Sequence, residues 1–211
     1  MLKDQDAALL AALRRKLVDE PLPGATAQGI MAPPLRGKYA DPPPNARRAS
    51  VLALLYPVAE QLRLLYIQRT SPANDRHAGQ ISFPGGSVEE GDADAAATAL
   101  REAEEEVGIP RAEVELLGAL TPLYIPVSNF LVDPFVGYLP SHPSFALQAS
   151  EVARVLELPL VDFLGTNARQ IGERRLVNGM TLKNIPYWAI EGEEVWGATA
   201  MMTAELVELI A

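Results

Sequence analysis

The sequence predicts an α/β protein with a mixed β-sheet lying between helical layers, and three observations carry this expectation. Two apolar, strand-length runs, "SVLALLYPV" (50–58) and "LRLLYIQR" (62–69), stand on either side of a short turn and read as a β-hairpin. The stretch 93–107 is rich in Ala, Leu, Arg and Glu, all helix formers, and Gly108 follows it as a stop. Further strand-like runs at 114–120, 130–138, 151–158 and 171–177 do not alternate strictly with helical ones, which points to a mixed sheet.

The remaining elements follow in chain order. Residues 5–20 place Leu9, Leu10, Leu13, Leu17 and Val18 at helical intervals, with Arg14, Arg15 and Lys16 on the polar side. Asp19 and Glu20 dilute the basic charge, so this amphipathic helix is expected to dock on its own domain and not on a membrane surface. Pro21, Pro23, Pro33, Pro34, Pro42, Pro43 and Pro44 then fall in a stretch without periodicity, read as an extended connector. Residues 1–48 are thus expected to form an N-terminal helix and Pro-rich connector packed on a main domain of residues 49–211. "ISF" (81–83) reads as a short strand leading into Pro84, Gly85 and Gly86, and a last helix is expected over 199–210. Trp188 and Trp196 are read as core residues.

Composition limits the function classes. At 211 residues and 48% hydrophobic, the chain has enough apolar matter for a sizeable single core. Runs of about 18 apolar residues, which a membrane span requires, are absent. The opening "MLKDQDAALLAALRRKLVDE" is too mixed in charge for a secretory signal, so a cytoplasmic protein is expected. The absence of cysteine excludes disulfides, thiolate metal sites and a cysteine nucleophile. A net charge of −9 argues against general affinity for nucleic acids or anionic membranes. An anionic small-molecule substrate would need local neutralisation, and a divalent cation is the obvious means.

Glu102, Glu105 and Glu106 stand at i, i+3 and i+4 of the predicted helix, on one face and within about one turn, while Glu104 points elsewhere. Clustered carboxylates repel unless a cation sits among them, and hard ions such as Mg²⁺ or Mn²⁺ prefer oxygen ligands. Taken alone, such a run reads more simply as a solvated helix face. Its surroundings change that reading. A strand, a proline and a glycine pair precede the helix, so the backbone can turn tightly and approach a ligand. Arg101 lies beside Glu102, able to orient carboxylates or to bind a phosphate.

"GGSVEEGDADAAATALREAEEEVGI" (85–109) resembles the signature box of the Nudix hydrolases, and the match is complete from Arg101 to Ile109. Counting from Gly86, Asp92 fills the acidic position, with one residue more than usual between it and Arg101. That longer form resembles the coenzyme A pyrophosphatase subgroup. "LLYIQRTSPANDRHAGQISFPGG" (64–86) resembles the subgroup's second motif, with Arg69, Gly79, Phe83, Pro84, Gly85 and Gly86 in place and Arg76 one position nearer Gly79 than the pattern has it. "VWGATA" (195–200) is similar to its closing strand and helix.

The resemblance implies a Nudix-type α/β/α sandwich with a mixed β-sheet, and hydrolysis of a diphosphate linked to another moiety, with Mg²⁺ or Mn²⁺. Within the subgroup the substrate is coenzyme A or a derivative, and the products are 3′,5′-ADP and 4′-phosphopantetheine or its acyl form. Related Nudix enzymes act on ADP-ribose, dinucleotides or nucleoside triphosphates, and non-catalytic nucleotide-sensing modules usually lose box glutamates that Glu102, Glu105 and Glu106 retain. The resemblance makes Glu102 and Glu106 metal ligands, Glu105 a further ligand or water-orienting group, and Arg101 the residue that fixes their geometry. Glu102, Glu105 and Glu151 all stay open as the general base. Arg69 and Arg76, with Gly85 and Gly86, are expected to bind the substrate, as a monomer or homodimer. His77 reads equally as a phosphate contact or a surface residue, and His142 as an ordinary turn residue. Packing suits Tyr124 and Phe130 better than stacking on adenine. Ser82 and Ser87 lack the histidine and aspartate arrangement of a serine hydrolase.

Overall fold

A computed structural model describes residues 2–34, 41–70, 79–175 and 179–211 of the chain. The predicted hairpin is present and longer than expected: β1 (Arg47–Val58) pairs antiparallel with β2 (Gln61–Arg69). Their two-residue turn, Ala59 and Glu60, has positive φ at both positions, the geometry that matches strand twist in a tight hairpin. The Lys3 N–H donates to the Glu60 carbonyl, so the start of the N-terminal helix braces this turn.

β1 and β2 are apolar on both faces, as strands covered on both sides must be. Leu52, Leu54 and Tyr56 of β1, with Leu65 and Ile67 of β2, share one core with Ala99, Ala103 and Val107 of helix α3 (Ala95–Val107). The alternate residues Ala53, Leu55, Leu62, Leu64 and Tyr66 point the other way. They pack with Leu10 and Leu13 of α1 (Asp4–Asp19) and Met201, Met202 and Leu206 of α4 (Gly197–Glu208). The period-2 alternation of the strands thus builds two cores, one under α3 and one under α1 and α4.

The sheet is completed by β3 (Ile81–Ser82), β4 (Gly85–Ser87), β5 (Glu115–Ala119), β6 (Leu123–Ile125), β7 (Phe130–Tyr138) and β8 (Val152–Pro159). Its main path runs β3-β2-β1-β7-β5, with β4 added to β1, β6 to β7 and β8 to β2. β1 and β7 are parallel, whereas the other recorded pairings are antiparallel. The mixed sheet between helical layers is therefore as the sequence predicts.

α1 lies with Leu10 and Leu13 buried, and the buried Asp6 carboxylate accepts the Leu62 N–H at 3.0 Å. Each fully buried leucine contributes about 2 kcal/mol. Four expectations need correction. The Pro-rich connector contains a short helix, α2 (Gly24–Gly29), which packs against α4. α3 begins at Ala95 and not Ala93, because the Asp94 carboxylate caps it by accepting the Ala97 N–H at 2.8 Å. α4 begins two residues before Thr199, at Gly197, and ends at Glu208. Finally, the strands expected near 171–177 and 195 are β9 (Arg169–Arg175) and β11 (Glu193–Trp196), which flank an unpredicted β10 (Thr181–Ile190) in a second, three-stranded sheet and not in the main one. Trp188 lies in the core, and Trp196 is half-buried at the start of α4.

Candidate active site

β4 lies against β1 in the register Ser50↔Gly86 and Val51↔Gly85. A Cβ on Gly85 would fall 2.3 Å from the Ser50 carbonyl oxygen, and one on Gly86 would fall 2.4 Å from a Glu102 carboxylate oxygen. Gly85, pressed on backbone, is closed to any other residue, whereas a side chain at Gly86 would have to displace the Glu102 carboxylate. This is why the glycine pair is needed: it lets the backbone lie directly against the carboxylates of α3.

Glu106 is 1% exposed. Its Oε2 accepts the Gly85 N–H at 2.8 Å, while Oε1 is buried without a hydrogen-bond partner and lies 3.8 Å from Arg69 Nη1. Burial pushes the Glu106 carboxyl up to about 7, against the opposing pull of the Gly85 N–H and Arg69, and with further repulsion from Glu102 and Glu151. Glu102 is shifted upward too, chiefly by burial and despite Arg101, with Glu105 and Glu151 adding repulsion. Glu151, immediately before β8, therefore belongs to the same electrostatic cluster although it lies far away in the sequence.

Arg101 organises the helix side of this cluster. Its Nε and Nη2 grip Asp92 at 2.9 and 3.0 Å, Nη2 also donates to the Ser87 carbonyl, and Nη1 reaches Glu102 at 3.0 Å and Glu105 at 3.1 Å. Every face of the guanidinium is thus engaged by protein oxygens, which makes Arg101 a frame for the carboxylates. Asp92 is held well below the usual carboxylate range, first by Arg101 and then by the Glu89 N–H. Asp92 Oδ2 also accepts from the Glu89 N–H and from Thr98 Oγ1 of α3. The spacing count obscured this clamp. The buried Thr98 in the first turn of the helix was the signal for it.

The predicted residues sort as follows. Glu102, Glu106 and Arg69 converge with Gly85 and Gly86, and Glu151 repels both glutamates electrostatically. Glu105 is half-exposed and drawn to Arg101. Glu104 points away, paired with Arg111. Arg76 and His77 lie outside the described residues. Tyr124 bonds Asn129 through its hydroxyl, and Phe130 lies under the Arg47 guanidinium. His142 is more than a turn residue, since its Nε2 lies 2.7 Å from Glu157 Oε2. Thr70 and Gln148, which touch the backbone or side chain of Glu151, were not singled out by the sequence. Among the described residues, no three acidic or histidine side chains form a preformed cation cage, and no helix is long and apolar enough to cross a membrane.

A glycine turn feeding a carboxylate-bearing helix, laid on a mixed sheet, is the arrangement expected of a Nudix domain. The profile of the NUDIX domain matches residues 46–154, and the chain belongs to the Nudix family of hydrolases. It is 36% identical over 183 residues to an uncharacterized Nudix hydrolase, NudL, of Photorhabdus laumondii, covering 86% of this chain and 92% of that protein. The NudL protein of Escherichia coli K12 is 43% identical over 122 residues, which is 57% of this chain and 61% of the relative's length. Among solved structures, a MutT/nudix family protein from Enterococcus faecalis shares the fold at a TM-score of 0.51 and 14% identity, over 93% of this chain and 72% of that one.

Proposed function

We propose that this chain hydrolyses the diphosphate of coenzyme A or its derivatives with Mg²⁺ or Mn²⁺, giving 3′,5′-ADP and 4′-phosphopantetheine or its acyl form. The observation that carries the hydrolytic reading is Glu106 Oε1, a buried carboxylate oxygen without a donor beside the half-buried Glu102. Such an oxygen calls for a proton or a cation. The donor set is of hard oxygens and fits Mg²⁺ or Mn²⁺, which take few protein carboxylates and complete their shell with water and substrate phosphates. The choice of coenzyme A is supported by the motif resemblance over 64–86.

In this reading Glu102 and Glu106 hold the cation and Glu105 is a further ligand or orients water. Arg101, gripped by Asp92, keeps Glu102 and Glu105 in register. Arg69 and the Gly85–Gly86 backbone receive the anionic diphosphate. The bound cation supplies charge neutralisation and acidifies water. A water oxygen bonds to one phosphorus as the bridging P–O bond breaks, the bridging oxygen leaves on the other phosphate, and the water proton passes to Glu151 as base.

The test is product analysis after incubation with coenzyme A, ADP-ribose and a nucleoside triphosphate, each with Mg²⁺, Mn²⁺ or chelator. Cleavage of coenzyme A to 3′,5′-ADP, abolished by chelator, is expected. Cleavage of another substrate in its place would overturn the coenzyme A reading and leave the hydrolase, and inertness toward all of them would overturn both.

A further inference from the structure

Residues 140–151 join β7 to β8 and are fastened along their length to the catalytic frame. The Ala146 and Gln148 N–H groups donate to the carbonyls of Val107 and Glu106, at 3.0 and 2.9 Å. These carbonyls lie at the open C-terminal end of α3, where intrahelical partners run out. Gly108, with φ of 76°, lets the two segments meet: a Cβ there would fall 2.7 Å from the Ala146 Cβ.

Both ends of this strap are pinned. At the first, His142 pairs with Glu157 of β8, and its ring stands edge-on to Tyr56 and Phe145 at 5.7 and 5.9 Å. At the second, Thr70, the residue after Arg69, makes two hydrogen bonds to the strap's last two residues. Its N–H donates to the Glu151 carbonyl and its Oγ1 to the Ser150 carbonyl, both at 2.8 Å. Between the ends, the Gln148 amide donates to Glu151 Oε1 at 3.3 Å.

We propose that this strap is a positioning device, and that Thr70 and His142 are positioning residues that set the Glu151 carboxylate against Glu102 and Glu106. The proposal rests on the reading of Glu151 as base. Thr70 ties together the strand that delivers Arg69 and the strap that delivers Glu151, so one side chain keeps the group that receives the phosphate in register with the group that receives the proton. Small displacements of a proton acceptor are costly in rate, because the attacking water must be held in line.

The experiment compares Thr70→Val, Thr70→Ser, His142→Ala, Glu151→Gln and the Thr70→Val/Glu151→Gln pair in the full chain, with backbone amide exchange alongside kinetics. We expect Thr70→Val to lower kcat about tenfold with KM within about twofold, Thr70→Ser to restore it, and His142→Ala to act in the same direction. The Ala146 and Gln148 amides should exchange faster in Thr70→Val and His142→Ala, with those of β1 unchanged. The double variant should be no slower than Glu151→Gln alone. Wild-type exchange at Ala146 and Gln148 in both variants would overturn the fastening, and faster exchange with unaltered kcat would overturn the positioning. Wild-type turnover by Glu151→Gln would overturn the base and with it the catalytic half of the proposal, while exchange would still report whether the strap is pinned.

Discussion

Two buried glutamates on opposite faces of the sheet are satisfied to very different degrees. Glu205 on α4 is 0% exposed and fully engaged: it accepts from the Gly24 and Thr121 N–H groups, the Gln28 amide and the Thr121 hydroxyl. Those donors come from α2 and from Thr121, in the link between β5 and β6, so this carboxylate knits the connector to the core. Glu106 on α3 is as deeply buried, yet it has one backbone donor and one oxygen left open. A buried carboxylate saturated by neutral donors holds a fold together, and one left half-satisfied is kept in readiness for something that arrives.

Exchanging the two roles by mutation gives the largest expected effect. Glu106→Gln should reduce hydrolysis about a thousandfold, roughly 4 kcal/mol of transition-state stabilisation, as measured by product release. The same variant, in chelator at pH 8, should melt no lower than the wild type, because an amide can still accept from Gly85. Glu205→Ala should do the reverse. It takes the acceptor from the part-buried Gly24 and Thr121 N–H groups and the Thr121 hydroxyl, at about 1 kcal/mol each, while the Gln28 amide keeps the Thr121 carbonyl. A melting temperature lower by roughly 10 °C, with kcat per folded molecule unchanged, is expected. If Glu205→Ala instead abolished turnover without moving the melting curve, the contrast between the two sites would collapse.

A smaller effect sharpens the same contrast. Glu106 has a folded pKa of about 7 against an ordinary 4.5. Between these values the folded chain binds more protons than the unfolded one, so this contribution favours the fold at low pH and is lost as pH rises. In chelator, stability should fall by at most about 3 kcal/mol from pH 4.5 to 7.5. Saturating Mn²⁺ should flatten the decline, and Glu106→Gln should reduce it to what Glu102 contributes, while Glu205→Ala retains it. Glu102, shifted upward as well, adds to the decline in the same direction, whereas Asp92 and Glu104 are shifted downward, so what they contribute is lost only on acidification below the ordinary carboxylate range.

The carboxylate helix was legible in the sequence because its elements are local. Arg101, Glu102, Glu105 and Glu106 lie within two turns, and the glycines that make room for them sit just upstream. The hairpin was legible because both its strands are apolar. β10 was not: Asn184 with φ of 57°, Pro186 and a register shift between Leu182 and Ile185 break the pattern a strand is read by. α2 is six residues long with a glycine at each end, too short for any period to show. The satisfaction of Glu205 and the pinning of Glu151 by Thr70 depend on pairs separated by long stretches of chain, which no window along the sequence can bring together.

The parallel ladder between β1 and β7 has a consequence for the order in which the molecule is made. Arg47 to Leu55 register with Phe130 to Tyr138, while the same strand's far end turns back on β2 after only two residues. A nascent chain can therefore form its hairpin early, but its remaining sheet edge must wait for some seventy further residues to emerge, α3 among them. The acidic helix is synthesised before the strand that gives its sheet a second neighbour, and Glu151 comes later still. The cluster around Glu102 and Glu106 is thus completed only after the hairpin and the helix already exist.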